Sequence, residues 1–478
     1  MSLKKQAASG FLWSFIQQFS MLGVNFGVSI FMARLLLPSE FGLMGMIYVF
    51  FTIGNVLLDA GLAQSLIRTQ DLDDEDYSTV FYFNILIAVV LYFILFFTAP
   101  LVANFYNQPI LISLIRVYAI IFIIGAFTTV QNAILVKKME FKKLLLLSLP
   151  ATIIGGAAGI YFAYKGYGVW SLVYNTIVTT FLTGLFLWVF SSWTPIAKFN
   201  KSKFLKHFNF GYKLSLTNLI DAIFGNIYQI VLGRFFLPQT VGYYARSESM
   251  KNMAVGSITT TLTKVSFPLL ANIQNDKERL SEIYRKILQT VIFITAPVLI
   301  AMVVLAEPIF IFLFTAKWVD AVPYFQIICI GAILKPINSY NINLFAIIGR
   351  SDIILKLELI EKPILIVLVA IALPFGIIPL LSTTIVYAII CFFINVSYSN
   401  KVLSYSYLQQ MADVGVVILV SCAAATAAWL FNQILIANAI SHFLQILIGF
   451  ITFGLVYLSL AYIFKMKGIA NIVDIIKK

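Results

Sequence analysis

Fourteen apolar runs, each near the length of a membrane-crossing helix, occupy most of this chain. They fall near 11–36, 41–64, 78–103, 110–136, 143–164 and 168–191. After a Lys-rich stretch they resume near 211–236, 241–267, 286–314, 322–348, 354–373, 376–399, 412–432 and 441–464. A helix needs about 20 such residues to cross the hydrocarbon core. In lipid each backbone amide must be satisfied within its segment, so helices are the spanning form open to these runs, and no alternating barrel pattern competes. Of the 478 residues, 61% are hydrophobic and 11% charged, which leaves little polar chain for a large extramembrane domain. An ordinary soluble enzyme, with about a quarter of its residues charged, is excluded. The chain reads as an all-α polytopic membrane protein. Its first run follows Lys4 and Lys5 and continues to about Leu37 with no small-residue cleavage site, which reads as an uncleaved first span.

The basic excess, 33 Lys and Arg against 20 Asp and Glu, is topological on this reading, not a nucleic-acid footprint. With the N-terminus inside, 23 Lys and Arg fall on inner loops and tails and four (Arg34, Lys165, Arg234 and Lys317) on outer ends. The inner set includes Arg68, Lys137, Lys138, Lys142, Lys143, Lys198, Lys201, Lys203, Lys206, Lys213, Lys477 and Lys478. Lys and Arg accumulate on the cytoplasmic side of membrane proteins, so both termini are expected there. Cys329, Cys391 and Cys422 sit singly in apolar segments, and His207 and His442 are far apart, so neither a disulfide framework nor a metal motif is present.

An internal repeat organises the runs. Residues 33–42 read ARLLLPSEFG and residues 233–242 read GRFFLPQTVG, with Arg, Leu, Pro and Gly recurring at a shift of 200. Each copy falls where an odd-numbered run reaches the outer surface. A repeat of six helices keeps its orientation, which implies two lobes related by an axis along the membrane normal with a substrate path between them. The expected divisions are 1–200 (helices 1–6), 201–400 (helices 7–12) and 401–478 (helices 13–14 and the tail).

Charges inside the runs are costly, about 3 kcal/mol each on insertion scales, and so single out candidate site residues. The basic ones are Arg116, Arg246, Lys251, Lys264, Lys335 and Lys362, and the acidic ones are Asp59, Asp221, Glu248, Glu358 and Glu361. Lys264 is close enough to the inner surface to snorkel. Glu358 and Lys362 are spaced i,i+4, and Glu248 and Lys251 i,i+3, as ion pairs along one helix would be. Arg116, Arg246 and Lys335 have no acidic residue at i±3 or i±4 and point to a cationic cavity, with Lys251 as a further member. Guanidinium and ammonium groups there suit an anionic, phosphate-bearing ligand. Asp221, near Asn218, Asn226 and Gln229, is a candidate Na⁺ or H⁺ site, since hard cations take oxygen ligands. Asp59 and Arg68, at the inner end of the second run, are candidate gate residues. Pro336 follows Lys335 directly, and a kink there would present the lysine.

No catalytic constellation is present: there is no HExxH, GxSxG, Walker sequence or CxxC. The acidic run DLDDEDY at 71–77 reads as a solvated loop whose charges favour the helix start after it. A non-enzymatic role is expected, with no resident cofactor.

The segments between the charges carry a resemblance. FGLMGMIYVFFTIGNVLLDAGLAQSLIRTQDLDDEDYSTVFYFN (41–84), GYGVWSLV (166–173), VGYYARSES (241–249), FPLLANIQND (267–276) and AVPYFQIICIGAILKPINSYNINLFAIIGRSD (321–352) occur in that order. Together they resemble Wzx-type polysaccharide flippases, in the WzxC and teichuronic-acid exporter branch of the MOP superfamily. The resemblance implies fourteen transmembrane helices, as two six-helix lobes in a V-shaped MOP/MATE-like fold plus two extra C-terminal helices. It also implies alternating access, by which an undecaprenyl-pyrophosphate-linked oligosaccharide passes from the inner to the outer leaflet of a bacterial plasma membrane. Arg246 lies within the matched eighth-helix motif, and Lys335 falls where the family pattern has a basic residue. The partners implied are the lipid-linked glycan, membrane lipids, and a polysaccharide polymerase and glycosyltransferases. A MATE-type cation antiporter and a non-transporting component of a glycan-assembly complex are the alternatives.

Overall fold

The computed structural model describes residues 3–471 apart from 192, 404 and 470; the side chains of 3–8, 11, 257–265, 267 and 268 also lie outside the described set. The side chains of Lys4, Lys5 and Lys264, and the whole of Lys477 and Lys478, therefore lie outside the described residues. Every regular element among the described residues is helical. The chain divides into two compact units, 1–245 and 246–478.

The first unit is built from α1 (Leu3–Leu35), α2 (Pro38–Asp59), α3 (Leu62–Arg68), α4 (Asp74–Tyr106), α5 (Leu111–Tyr118) and α6 (Ile120–Lys137). It continues with α7 (Phe141–Tyr164), α8 (Val169–Phe190), α9 (Lys201–Gly225), α10 (Ile227–Phe235) and the start of α11 (Pro238–Ala271). The second unit takes the rest of α11, then α12 (Lys277–Val304), α13 (Ala306–Phe314), α14 (Val322–Ala332) and α15 (Lys335–Ile347). It closes with α16 (Ser351–Ala372), α17 (Ile377–Ser399), α18 (Tyr407–Ala437) and α19 (His442–Ile463).

These nineteen α-helices, counted among the described residues, exceed the fourteen expected runs because five runs are broken in two. The breaks separate α2 from α3, α5 from α6, α9 from α10, α12 from α13 and α14 from α15. Eleven helical segments among the described residues are long and apolar enough to cross a membrane. The three runs that fall short are α9–α10, α11 and α16. They carry Asp221, the Arg246–Glu248–Lys251 group and the Glu358–Glu361–Lys362 group. The same charges that mark candidate site residues lower the hydropathy of their helices.

Local chemistry places the helix ends. Asp73 caps α4, accepting from the Asp76 amide at 2.9 Å while Asp76 Oδ2 accepts from the Asp73 amide at 3.2 Å, a reciprocal capping box. Asn200 caps α9, accepting from the Ser202 and Lys203 amides at 2.9 and 3.2 Å. The turn between α2 and α3 needs left-handed backbone at Ala60 (φ 43°) and Gly61 (φ 68°). There α9 crosses at main-chain contact: a Cβ on Gly61 would stand 2.5 Å from the Gly211 carbonyl oxygen. Only glycine at both positions lets the backbones come this close.

The sequence repeat also has a structural counterpart in the first unit. A Cβ on Gly42 would stand 1.7 Å from the carbonyl oxygen of Pro238, and one on Gly242 would stand 1.8 Å from that of Pro38. The two LPxxxG copies therefore clasp each other reciprocally, proline carbonyl against glycine, where α2 and α11 begin. Val241, fully buried, fills the space beside Gly45 in the same contact.

Candidate functional site

Most of the charged residues expected inside the runs belong to the second unit. On α11, Lys251 Nζ donates to Glu248 Oε1 at 2.5 Å, and Asn252 Nδ2 donates to the same oxygen at 3.3 Å. The i,i+3 pair expected from spacing is thus formed, with Lys251 only 5% exposed. On α16, Lys362 Nζ lies 2.9 Å from Glu358 Oε2, the expected i,i+4 pair. Lys335 differs: it is exposed and, among the described residues, forms no ion pair. Ile333 and Leu334 break the helix before it, and Pro336 occupies the first turn of α15. The kink expected at Pro336 is therefore a helix break that sets Lys335 at a helix start. Its ammonium interacts electrostatically with Lys251, Glu248 and Lys362. Lys335 is the exposed member of this group of basic and acidic side chains. An anion with several oxygens is the ligand such a cluster fits.

Arg246, one and a half turns before Lys251, turns elsewhere. Its guanidinium lies over the rings of Phe314 and Trp318, 4.8 and 5.3 Å from their centroids, and the residue is 5% exposed. Such stacking is worth about 2 kcal/mol when desolvated. Beside it Ser247 Oγ donates to the Ala321 carbonyl at 3.2 Å, tying α11 to the turn before α14.

The other candidates lie in the first unit. Arg116 stacks on Phe96 at 4.3 Å and its Nε donates to the Phe96 carbonyl at 3.3 Å. Asp221 is exposed on α9 beside Thr217 and Asn218. Asn226 Nδ2 donates to the Ala222 carbonyl at 2.7 Å, and Gln229 packs against Gly45. Asp59 ends α2 and accepts from the Ala63 amide at 3.2 Å, which starts α3. It also lines a cavity of about 390 Å³ with Asn55, Thr128, Thr129 and Asn132. Arg68 lies over the Phe210 ring at 4.6 Å, joining α3 to α9.

That α3–α9 junction holds residues the sequence did not assign. The acidic run at 71–77 is more than a solvated helix start, because Lys203 of α9 reaches into it. Lys203 Nζ lies 2.5 Å from Asp73, 3.1 Å from Glu75 and 3.3 Å from Asp76. This bridge holds the Asp73 carboxyl well below the usual carboxylate range and raises Lys203. His207, fully buried, links Ser65 Oγ (2.8 Å from Nδ1) to Asp76 Oδ1 (3.1 Å from Nε2). Burial pushes its pKa down, against the pull of Asp76. The acid–base spacing of over a hundred residues left no local signal for these contacts.

The arrangement defines a helical membrane protein with basic side chains gathered in its second unit and no group of metal ligands among the described residues. A family described as "Polysaccharide biosynthesis protein" matches residues 31–323, more than half the chain, and the protein belongs to it. Among curated relatives, the chain is 24% identical over 365 residues to the lipopolysaccharide biosynthesis protein WzxC of Escherichia coli K12, covering 76% of this chain and 74% of that one. It is 24% identical over 354 residues to the teichuronic acid biosynthesis protein TuaB of Bacillus subtilis 168, covering 74% and 73%. The fold is that of the lipid II flippase MurJ in its inward closed conformation, with TM-score 0.72 and 16% identity over 95% of this chain and 99% of that one. A multidrug MATE transporter of the MOP superfamily also superposes, at TM-score 0.61 and 18% identity over 80% and 95%.

Proposed function

We propose that this protein moves a polyprenyl-pyrophosphate-linked oligosaccharide from the inner to the outer leaflet of a bacterial plasma membrane. The observation that carries the reading is Lys335: an exposed ammonium without an ion-pair partner among the described residues, next to the Lys251–Glu248 pair, in a polysaccharide-biosynthesis protein. A pyrophosphate headgroup supplies oxygens to which the exposed Lys335 ammonium can donate. The many hydroxyls of a glycan each cost several kcal/mol if left unpaired in hydrocarbon, so the headgroup needs a polar route, whereas the prenyl tail stays in lipid. Family membership and a fold shared with a lipid II flippase support the same reading.

In this proposal fourteen spans carry the chain, with both ends cytoplasmic. Lys335, with Lys251 beside it, serves the pyrophosphate, and Asp59 and Arg68 serve the cytoplasmic gate. Outward movement of about two negative charges is favoured by roughly 4–5 kcal/mol per 100 mV of inside-negative potential. The test uses liposomes carrying a labelled polyprenyl-pyrophosphate oligosaccharide in one leaflet and an impermeant glycosidase on the other side. Protein-dependent cleavage, competed by unlabelled lipid-linked glycan and not by a cationic dye, supports the proposal. Intact headgroups together with dye efflux would replace it with a drug antiporter. If neither moves while a known flippase does, the protein is a non-transporting component.

A further inference from the structure

One buried carboxyl of the second unit has no part in the anion cluster. Glu361 of α16 is 6% exposed, and Asn395 of α17 donates Nδ2 to its Oε1 at 2.9 Å. Asn395 is fully buried, and its Oδ1 meets no hydrogen-bond donor. The Cys391 thiol and Tyr387 hydroxyl, one and two turns earlier on α17, complete the surroundings. Among charged neighbours, Lys362 acts on the carboxyl through space and forms no ion pair with it. Glu358 and Lys362, on its own helix, are paired with each other at 2.9 Å. On α15, which packs against α16, the titratable groups are Lys335, exposed among Lys251 and Glu248, and Tyr340, whose hydroxyl accepts from Ser266 Oγ at 3.3 Å. Among the described residues no basic group forms an ion pair with Glu361.

The two protonation states of Glu361 fit this pocket unequally. A carboxylate accepts from Asn395 Nδ2 and the Cys391 thiol but leaves the buried Asn395 Oδ1 without a donor. A carboxylic acid is donor and acceptor at once, so it can hold both ends of the carboxamide: N–H to the carboxyl oxygen and O–H to Oδ1. We infer that Glu361 is a proton-binding site that holds H⁺ in this conformation and exchanges it with water when α16 and α17 part. The proton adds to the carboxylate and leaves as the same ion, with no other bond changed. Resting on the transport reading above, this makes H⁺ the coupling ion and Glu361 its carrier.

Infrared difference spectroscopy on the full-length protein in lipid nanodiscs tests the site without any substrate. At neutral pH the wild type should show the carbonyl stretch of a protonated carboxyl, sensitive to D₂O, that is lost in Glu361→Gln and displaced in frequency in Asn395→Leu. A Glu361→Gln spectrum that keeps every such band, or a wild type that has none, overturns the inference. Should Glu361→Gln fail to assemble, the Asn395→Leu band decides: a displaced band upholds the pairing and an unmoved one removes it. For coupling, a pH gradient should speed headgroup translocation by the wild type and leave Glu361→Gln unaffected. A wild type that translocates at a rate indifferent to the gradient overturns coupling through Glu361. A wild type that never translocates fails the transport reading, and the infrared result still decides the proton site.

Discussion

Replacing Gly42 by Ala should open the clasp between α2 and α11. The new Cβ would stand 1.7 Å from the Pro238 carbonyl oxygen and 2.5 Å from its carbonyl carbon, where real contacts stay beyond 3.0 Å. Both obstructing atoms are backbone, so no side chain can rotate away, and the helix starts must separate by roughly 1.3 Å, the difference between those distances. Overpacking of this kind costs about 1–3 kcal/mol, which favours parted arrangements about 5- to 150-fold. Gly242→Ala meets Pro38 at 1.8 Å and should behave alike. Together they should cost less than the sum, because the first substitution has already parted the surface the second would strike. The reporter is Val241→Cys, fully shielded beside Gly45, in a background lacking the exposed Cys422. Its alkylation by a maleimide should quicken by the same 5- to 150-fold factor. If both alanine variants fold and label at the rate of the parent, the clasp does not hold this conformation.

Lys335→Gln should weaken binding of undecaprenyl pyrophosphate by about 1.5–3 kcal/mol, the worth of a hydrogen bond to a charged group, or roughly ten- to a hundredfold in Kd; an unchanged Kd removes Lys335 from the site. Gly211→Ala puts a Cβ 2.3 Å from the Ala60 carbonyl oxygen, and should lower stability by about 1–3 kcal/mol, read as a lower thermal midpoint; a midpoint equal to wild type would show that α9 gives way freely. His207 makes stability depend on pH. Its folded pKa lies below the ordinary histidine value, so the unfolded chain binds more protons as pH falls through about 6.5. That stability is fully present above this value and is lost as pH falls towards the folded pKa. Thermal midpoints should therefore drop between about pH 7.5 and about pH 5.5 in the wild type, and drop less in His207→Gln; equal slopes would count against the buried-histidine account.

What the sequence revealed and what it hid follow one division. Features set by spacing along a single helix were legible: the helical runs, the Glu358–Lys362 and Glu248–Lys251 pairs, and the break that presents Lys335. The period of 3.6 residues fixes such neighbours with no knowledge of tertiary packing. Features made by helices meeting were not. Nothing near Arg246 in the chain announces Phe314 and Trp318, and nothing near Glu361 announces Asn395. Lys203 and the acidic run it binds are separated by 130 residues at the Asp73 contact, and each looks like ordinary surface charge when read alone. The LPxxxG repeat lies between these cases: its two copies were visible, but their mutual contact required the fold. The other four breaks were hidden, since a turn such as Ala60–Gly61 interrupts hydrogen bonding without interrupting hydropathy.

The most direct test of lipid-linked glycan transport through the Lys335 cluster is the translocation rate in proteoliposomes, read as headgroup cleavage by an impermeant glycosidase. Wild-type protein should expose the headgroup well above protein-free vesicles, and Lys335→Gln should slow that exposure by roughly tenfold or more. A headgroup that stays protected with wild-type protein, while a known flippase exposes it, would contradict transport; equal rates for wild type and Lys335→Gln would contradict the cationic route.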